Sequence, residues 1–99
     1  MSHATTAVDP TVDPASVLAV TRLELLVAAP EVPVDVPADA HLVREVGIDA
    51  PTFEAFATRV EYRFGLSVPD AQWPALGTLA EVAAYVVERA GRTSRGSLS

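Results

Sequence analysis

The chain has 99 residues, 49% of them hydrophobic, which fits one compact domain with a single core. Its formal net charge of -6 disfavours nucleic-acid binding, because attraction between basic side chains and phosphate dominates the affinity of such proteins. The absence of Cys excludes disulfides, thiolate metal ligands and a cysteine nucleophile. No stretch has the pattern of a signal peptide or a membrane span, so we expect a cytoplasmic protein that does not bind membranes.

The first predicted helix follows a tail. Residues 1–13 are rich in Thr, Ala, Asp and Pro without periodicity, which predicts disorder. Asp13 and Pro14 then form a helix-start signal, because the carboxylate accepts unpaired amide hydrogens and proline suits the first helical position. Apolar residues recur at spacings of three and four as far as residue 28, and Pro30 ends the helix. The expected core stripe consists of Val20, Leu23 and Val27, widened by Leu18, Leu25 and Leu26.

A long loop is predicted over residues 31–49. Pro33 and Pro37 bracket a short alternating segment that has no strand to pair with, so the segment is interpreted as loop. A connection of this length is usually functional or held down by its own side chains. The expected anchors are Leu42, Val43 and Val46.

The second predicted helix starts at Asp49, which precedes Ala50 and Pro51 and repeats the signal of the first helix. Its core stripe is Phe53, Phe56, Val60 and Phe64, and Gly65 is placed to end the helix in a left-handed conformation.

The remaining chain predicts one short and one long helix. A helical turn fits around residues 70–73, and Thr78 with Glu81 forms a capping box for a helix that ends at Gly91. Residues 92–99 read as a disordered tail. The stripe of the last helix is Leu79, Val82, Ala83, Val86 and Ala90. The predicted fold is therefore all-α, a domain over residues 14–91 with three main helices and one short helix.

The order and spacing of these elements resemble the acyl and peptidyl carrier proteins. In that family the loop ends in a Gly-x-Asp-Ser-Leu motif, the second helix closes with Phe-Gly, Val-Pro-Asp or Ile-Pro-Asp follows, and Thr-Leu or Thr-Val opens the last helix. The corresponding residues here are Gly47-Ile48-Asp49, Phe64-Gly65, Val68-Pro69-Asp70 and Thr78-Leu79, with Ala40-His41-Leu42 as the loop anchor. The resemblance spans about residues 15–90 and implies an acyl-carrier-protein-like bundle.

The family's attachment residue is replaced in this chain. Carrier proteins hold 4'-phosphopantetheine on a Ser hydroxyl, and that Ser aligns with Ala50, which has no side-chain oxygen. Asp49 is expected to cap the helix beside it. Thr52 is a poor substitute, because it lies about 200 degrees around the helix. Two explanations stay open: residue 50 is Ser in nature and was changed to Ala, or Ala is natural and the chain is a pseudo-carrier.

The resemblance also implies partners that dock on the second helix. They would be a phosphopantetheinyl transferase, an acyl- or aminoacyl-loading enzyme, and a synthase or tailoring enzyme. The expected docking residues are Glu54, Thr58, Arg59, Glu61 and Tyr62. Mixed charge there favours a dedicated partner, whereas the alternative is an ordinary solvated helix face. Trp73 and Tyr85 could line an acyl-binding groove between the second and last helices, but we interpret both as edges of the core. The aromatic stripe predicts little room for an acyl chain.

No catalytic or metal site is expected. His3 and His41 lack ligand partners at metal spacing, and Ser16 and Ser67 lack a credible His-Asp arrangement. The resemblance therefore implies a discrete carrier of a specialised polyketide, fatty-acyl or nonribosomal peptide pathway, which cannot be loaded at Ala50, and we expect it to be a monomer. The alternative is a non-catalytic interaction or regulatory module.

Overall fold

The fold is built from helices alone in the part of the chain that can be described. The computed structural model describes residues 13–98 along the backbone, and the side chains of residues 13–90. Within these residues there is no strand, so the all-helical prediction is confirmed. The elements are α1 (Pro14–Ala28), a π-helical turn (Leu42–Val46), α2 (Ala50–Phe64), a 3₁₀ turn (Asp70–Ala75) and α3 (Leu79–Leu98).

The start of α1 follows the predicted capping signal. The Asp13 carboxylate accepts hydrogen bonds from the Ser16 backbone N–H at 3.1 Å and from the Ser16 hydroxyl at 2.7 Å. At the other end the Ala29 N–H donates to the Leu25 carbonyl, one residue before Pro30. The local sequence therefore sets both ends of this helix.

The buried face of α1 differs from the predicted stripe. Leu23 and Val27 are 57% and 56% exposed, whereas Val17 and Leu25 are fully buried. The prediction of Leu23 and Val27 as core residues is wrong. Leucine and valine occur nearly all around this helix, so the sequence pattern alone allows several faces, and packing against α2 and α3 selects one.

Two polar side chains lie in the buried face of α1, and both have partners. The Thr21 hydroxyl donates to the Val17 carbonyl at 2.7 Å. Glu24 is 7% exposed and pairs with two arginines of α2: Arg59 Nε lies 2.7 Å from one carboxylate oxygen, and an Arg63 terminal nitrogen lies 3.5 Å from the other. A buried carboxylate is tolerated because these cations compensate its lost hydration, so the cluster joins α1 to α2.

The loop between α1 and α2 is held by apolar side chains along its length. Leu42 is fully buried and Val46 partly buried, as predicted. Val43 is 43% exposed, so its prediction as an anchor is wrong. The anchors that the sequence interpretation missed are Val32, Val36 and Ile48, each 5% exposed. Pro33 and Pro37 obscured the first two, because they break the periodicity from which a buried residue is recognised.

Hydrogen bonds fix the same loop to both neighbouring helices. One terminal nitrogen of Arg22 on α1 donates to the carbonyls of Val34 at 3.1 Å and Val36 at 2.6 Å. On the other side, the Leu42 N–H donates to the Gly77 carbonyl at 2.8 Å. The loop is therefore an ordered layer that sets the position at which α2 begins.

The end of α2 and the start of α3 lie where the sequence predicted them, whereas the end of α3 does not. Gly65 ends α2 at a φ of 66°, in the left-handed region that favours glycine. Thr78 and Glu81 form the predicted capping box, with bonds of 3.0 Å and 3.2 Å. The predicted end of α3 at Gly91 is wrong: the backbone stays helical to Leu98, which includes most of the tail predicted over 92–99. A single glycine costs a helix only about 1 kcal/mol relative to alanine, and the helix continues through it.

The core lies where the three long helices meet. The side chains that are 0 or 1% exposed include Phe56 and Val60 from α2, with Leu79, Val82 and Val86 from α3. Phe53 and Phe64, predicted in the same stripe, are partly buried at its edges. The tail predicted over residues 1–13 lies, apart from Asp13, outside the described residues.

The cluster around Glu24 yields a stability prediction. Glu24→Gln keeps the side-chain size but removes the charge that two arginines share, so the free energy of unfolding should fall by roughly 1 kcal/mol. The arginine side chains are 45% and 54% exposed and can regain hydration, which limits the loss. Urea unfolding measures it. Glu31→Gln, at an exposed loop position, is the matched control, and equal losses in the two variants would contradict the role of the cluster.

Candidate functional site

Ala50 is exposed at the first position of α2, and the three residues before it fix its position. Gly47 turns the chain with a φ of 93°, Ile48 is buried as an anchor, and Asp49 caps the helix. The Asp49 carboxylate accepts from the Thr52 N–H at 3.0 Å. The methyl group of Ala50 therefore points to solvent from a well-fixed corner of the fold.

The hydrogen bonds from Thr52 also change the acidity of the cap. Its side chain and then its backbone N–H stabilise the charged carboxylate, so the pKa of Asp49 lies below the ordinary value.

Few amides at the start of α2 remain for an external anion. Pro51 has no N–H, the Thr52 N–H binds the Asp49 side chain, and the Phe53 N–H donates to the Asp49 carbonyl at 2.9 Å. Of these first positions only Ala50 keeps an N–H that can face a ligand. The helix start therefore attracts an anion less than an uncapped one would.

A groove of about 680 Å³ opens beside Ala50, between the π-helical turn, α2 and the 3₁₀ turn. Its aromatic wall is Trp73, whose ring meets Phe53 edge-on with centroids 5.7 Å apart. From the sequence, Trp73 is interpreted as a core edge in preference to the wall of an acyl-binding groove between the second and last helices. The structure instead places it at a groove between α2 and the two short turns. The lining residues are His41, Val43, Ala50, Phe53, Glu54, Ala57, Thr58, Glu61, Asp70, Trp73, Pro74 and Gly77.

His41 holds the π-helical turn in place. Its Nδ1 accepts the Arg44 N–H at 3.1 Å, and its own N–H donates to the Glu45 carboxylate at 2.6 Å. Its carbonyl accepts the N–H groups of Glu45 and Val46. The loop histidine, which the sequence offered as part of the loop anchor and as an improbable metal ligand, is therefore a cap at one edge of the groove.

Gly77 approaches the His41 ring so closely that a side chain cannot fit between them. A Cβ on Gly77 would lie 2.7 Å from His41 Cδ2 and closer still to Nε2, distances that real structures avoid. The sequence signal for this contact is slight: a glycine just ahead of the Thr78 capping box. The contact itself joins residues far apart in the chain, so only the fold reveals it.

The predicted docking residues separate into different surroundings. Glu54 and Thr58 are exposed and line the groove together with Ala50. Glu61 also lines it, but one of its oxygens accepts the Val68 N–H at 2.8 Å and so holds the segment after α2. Arg59 faces Glu24 on the other side of the helix, and Tyr62 is 90% exposed. The structure thus groups Ala50, Glu54, Thr58 and Glu61, and leaves Arg59 and Tyr62 outside the groove.

The residues present do not fit a covalently held phosphopantetheine. The Ala50 methyl offers no oxygen for a phosphodiester, and no Lys or Arg lines the groove to balance a phosphate. Asp49, the neighbouring group, is itself negatively charged. Any carrier chemistry therefore needs a hydroxyl that this chain lacks at residue 50.

No protein-family model, curated protein or solved structure matches this chain. Among the described residues, no three His, Asp or Glu side chains are grouped so that they could hold a metal ion. Nor does any helix in that part of the chain combine the length and apolar character needed to cross a membrane.

The cap at Asp49 predicts a pH dependence. A carboxylate whose pKa is lowered by folding contributes stability above its unfolded pKa, and that contribution is lost as the pH falls through the folded value. Asp49→Asn can still cap but does not titrate. We expect the native chain to have the higher melting temperature at neutral pH, and the two to converge as the pH falls below the ordinary value of 3.8. Thermal unfolding followed by circular dichroism measures this, and a pH-independent difference would contradict it.

The contact between Gly77 and His41 gives a second prediction. Gly77→Ala should lower the free energy of unfolding by about 1–3 kcal/mol, because the added methyl displaces the His41 ring from the Arg44 N–H.

A double-mutant cycle separates this contact from a general cost of substitution. In a His41→Ala background the same Gly77→Ala change should lose most of its effect, since the ring it collides with is gone. If denaturant unfolding shows the same cost in both backgrounds, the contact does not carry the effect.

Proposed function

We propose that this chain is a carrier-type domain of a specialised biosynthetic pathway, in which residue 50 is the attachment position. The observation that carries the proposal is the placement of Ala50: an exposed first residue of α2, fixed by a Gly47 turn, a buried Ile48 and an Asp49 cap. Those residues are the ones that resemble the carrier-protein motif. With Ala at residue 50 the chain cannot accept a phosphopantetheine group at that position.

The surroundings of Ala50 support a surface that enzymes approach. Glu54 and Thr58 are exposed along the same helix, and Tyr62 extends the exposed row by one more turn. Side chains at spacings of four residues lie on one side of a helix, so a partner that reaches residue 50 also meets them. The expected partners are a phosphopantetheinyl transferase, an enzyme that loads an acyl or aminoacyl group, and a synthase or tailoring enzyme.

The alanine at residue 50 also favours a second candidate function. A chain that keeps the corner and its exposed helix but has only a methyl group at the reactive position suits a non-catalytic interaction module. Such a module would occupy the docking site of a pathway enzyme without receiving a group. The two candidates differ in whether a hydroxyl at residue 50 is sufficient for modification.

Restoring that hydroxyl tests the proposal. Ala50→Ser should be modified by a broad-specificity phosphopantetheinyl transferase in the presence of coenzyme A, because the side chain then has a hydroxyl oxygen to attack the phosphate next to the pantetheine. The phosphoanhydride bond of coenzyme A breaks, adenosine 3',5'-bisphosphate leaves, and the hydroxyl proton is lost to a base of the transferase or to solvent. Intact-mass spectrometry should show the gain of one phosphopantetheine group, while the native chain gains none.

Ala55→Ser is the matched control, since Ala55 is another exposed alanine of the same helix. It should stay unmodified, which shows that position and not merely a new hydroxyl decides the outcome. A folded Ala50→Ser variant that gains no mass would reject the carrier function and leave the interaction module. Circular dichroism establishes that each variant is folded.

A further inference from the structure

The groove beside Ala50 carries charge of only one sign. Its charged lining residues are Glu54, Glu61 and Asp70, and none of the twelve lining residues is Lys or Arg. The Glu61 carboxylate is partly used by the Val68 N–H. Those of Glu54 and Asp70 have no hydrogen-bond or ion-pair partner within the described part of the chain. Two carboxylates therefore remain available to a ligand.

The groove also offers a fixed apolar and aromatic wall. Trp73 stands nearly perpendicular to Phe53, at 88°, and Phe53 in turn packs against the fully buried Phe56 with centroids 5.8 Å apart. This contact with the core limits how far the wall can move. Ala57 and Pro74 add apolar surface. A ligand can therefore bury an apolar body here without reorganising the fold.

We propose that this groove binds small organic ammonium compounds that carry an apolar body. The ammonium group would be attracted by the Glu54 and Asp70 carboxylates and by the electron-rich face of Trp73, while the body covers the apolar wall. Anionic ligands would be repelled by the same carboxylates. The volume of about 680 Å³ lies within the range typical of small-molecule sites. The proposal does not require an attached group and so goes beyond the carrier function.

The single Trp of the chain makes this testable on the native protein, because Trp73 lines the groove and its fluorescence reports occupancy. The probes are 2-phenylethylammonium, the neutral 2-phenylethanol and the anionic 3-phenylpropanoate. We expect a saturable change with the ammonium compound, and an affinity about tenfold higher than that of the alcohol. The carboxylate should bind more weakly than the alcohol. Added salt should weaken only the binding of the ammonium compound.

Two charge-removing variants locate the site. Glu54→Gln and Asp70→Asn should each weaken binding of the ammonium compound by roughly threefold and leave the alcohol unaffected, because exposed carboxylates contribute modest energies. Glu31→Gln, in the loop after α1 and outside the groove lining, is the matched control and should bind like the native chain.

Three outcomes would overturn the proposal: no saturable signal with the ammonium compound, equal affinities for the three probes, or a Glu54→Gln/Asp70→Asn double variant that binds like the native chain. The mass measurement on Ala50→Ser is independent of all three. Failure of amine binding and failure of the carrier function are therefore distinguishable.

Discussion

The attachment of the long loop to the start of α3 is the contact on which the candidate site depends. The Leu42 N–H donates to the Gly77 carbonyl, and in return the Ala38 carbonyl accepts the Ala80 N–H, at 2.8 Å and 2.9 Å. The second bond satisfies an amide of the first turn of α3 that has no partner within its own helix. The loop thus caps α3 while α3 fixes the loop. Gly77 permits the approach because it has no Cβ to meet His41.

This attachment determines the position of α2 and of everything that lines the groove. Once Leu42 and Ile48 are buried, the π-helical turn and the Gly47 turn lead the chain outward to Asp49 and Ala50. π-helical segments are rare and are frequently found at functional sites. Here the turn forms one wall of the groove through His41 and Val43. The geometry of the corner thus comes from the loop as much as from α2.

The helix α2 separates its charges between its two sides. Arg59 and Arg63 face α1, where the buried Glu24 carboxylate partly neutralises them. Glu54 and Glu61 face the groove, where Asp70 of the 3₁₀ turn joins them. In the sequence these residues form one mixed charged run. In the fold they form an ion-pair cluster on one side of α2 and an acidic groove on the other. The first set stabilises the packing of α1 against α2, and the second set faces solvent and any ligand in the groove.

The sequence by itself determined the elements whose signals are local. Capping at Asp13 and Asp49, the left-handed Gly65 and the capping box of Thr78 each rest on hydrogen bonds or dihedral angles among residues a few positions apart. These interactions join residues within about one helical turn, so the sequence alone is enough to predict them. The position of Ala50 at the start of a helix follows from the same local signals.

Only the tertiary structure decided which face of α1 is buried, which loop residues are anchors, and that Trp73, Glu54 and Asp70 share a groove. Leu23 and Val27 fit the helical period as well as Val17 and Leu25 do, so contacts with other helices had to choose between them. The His41–Gly77 contact and the Glu24 cluster join residues distant in sequence. No local pattern encodes such pairs, because their energy exists only once the helices and the loop have packed together.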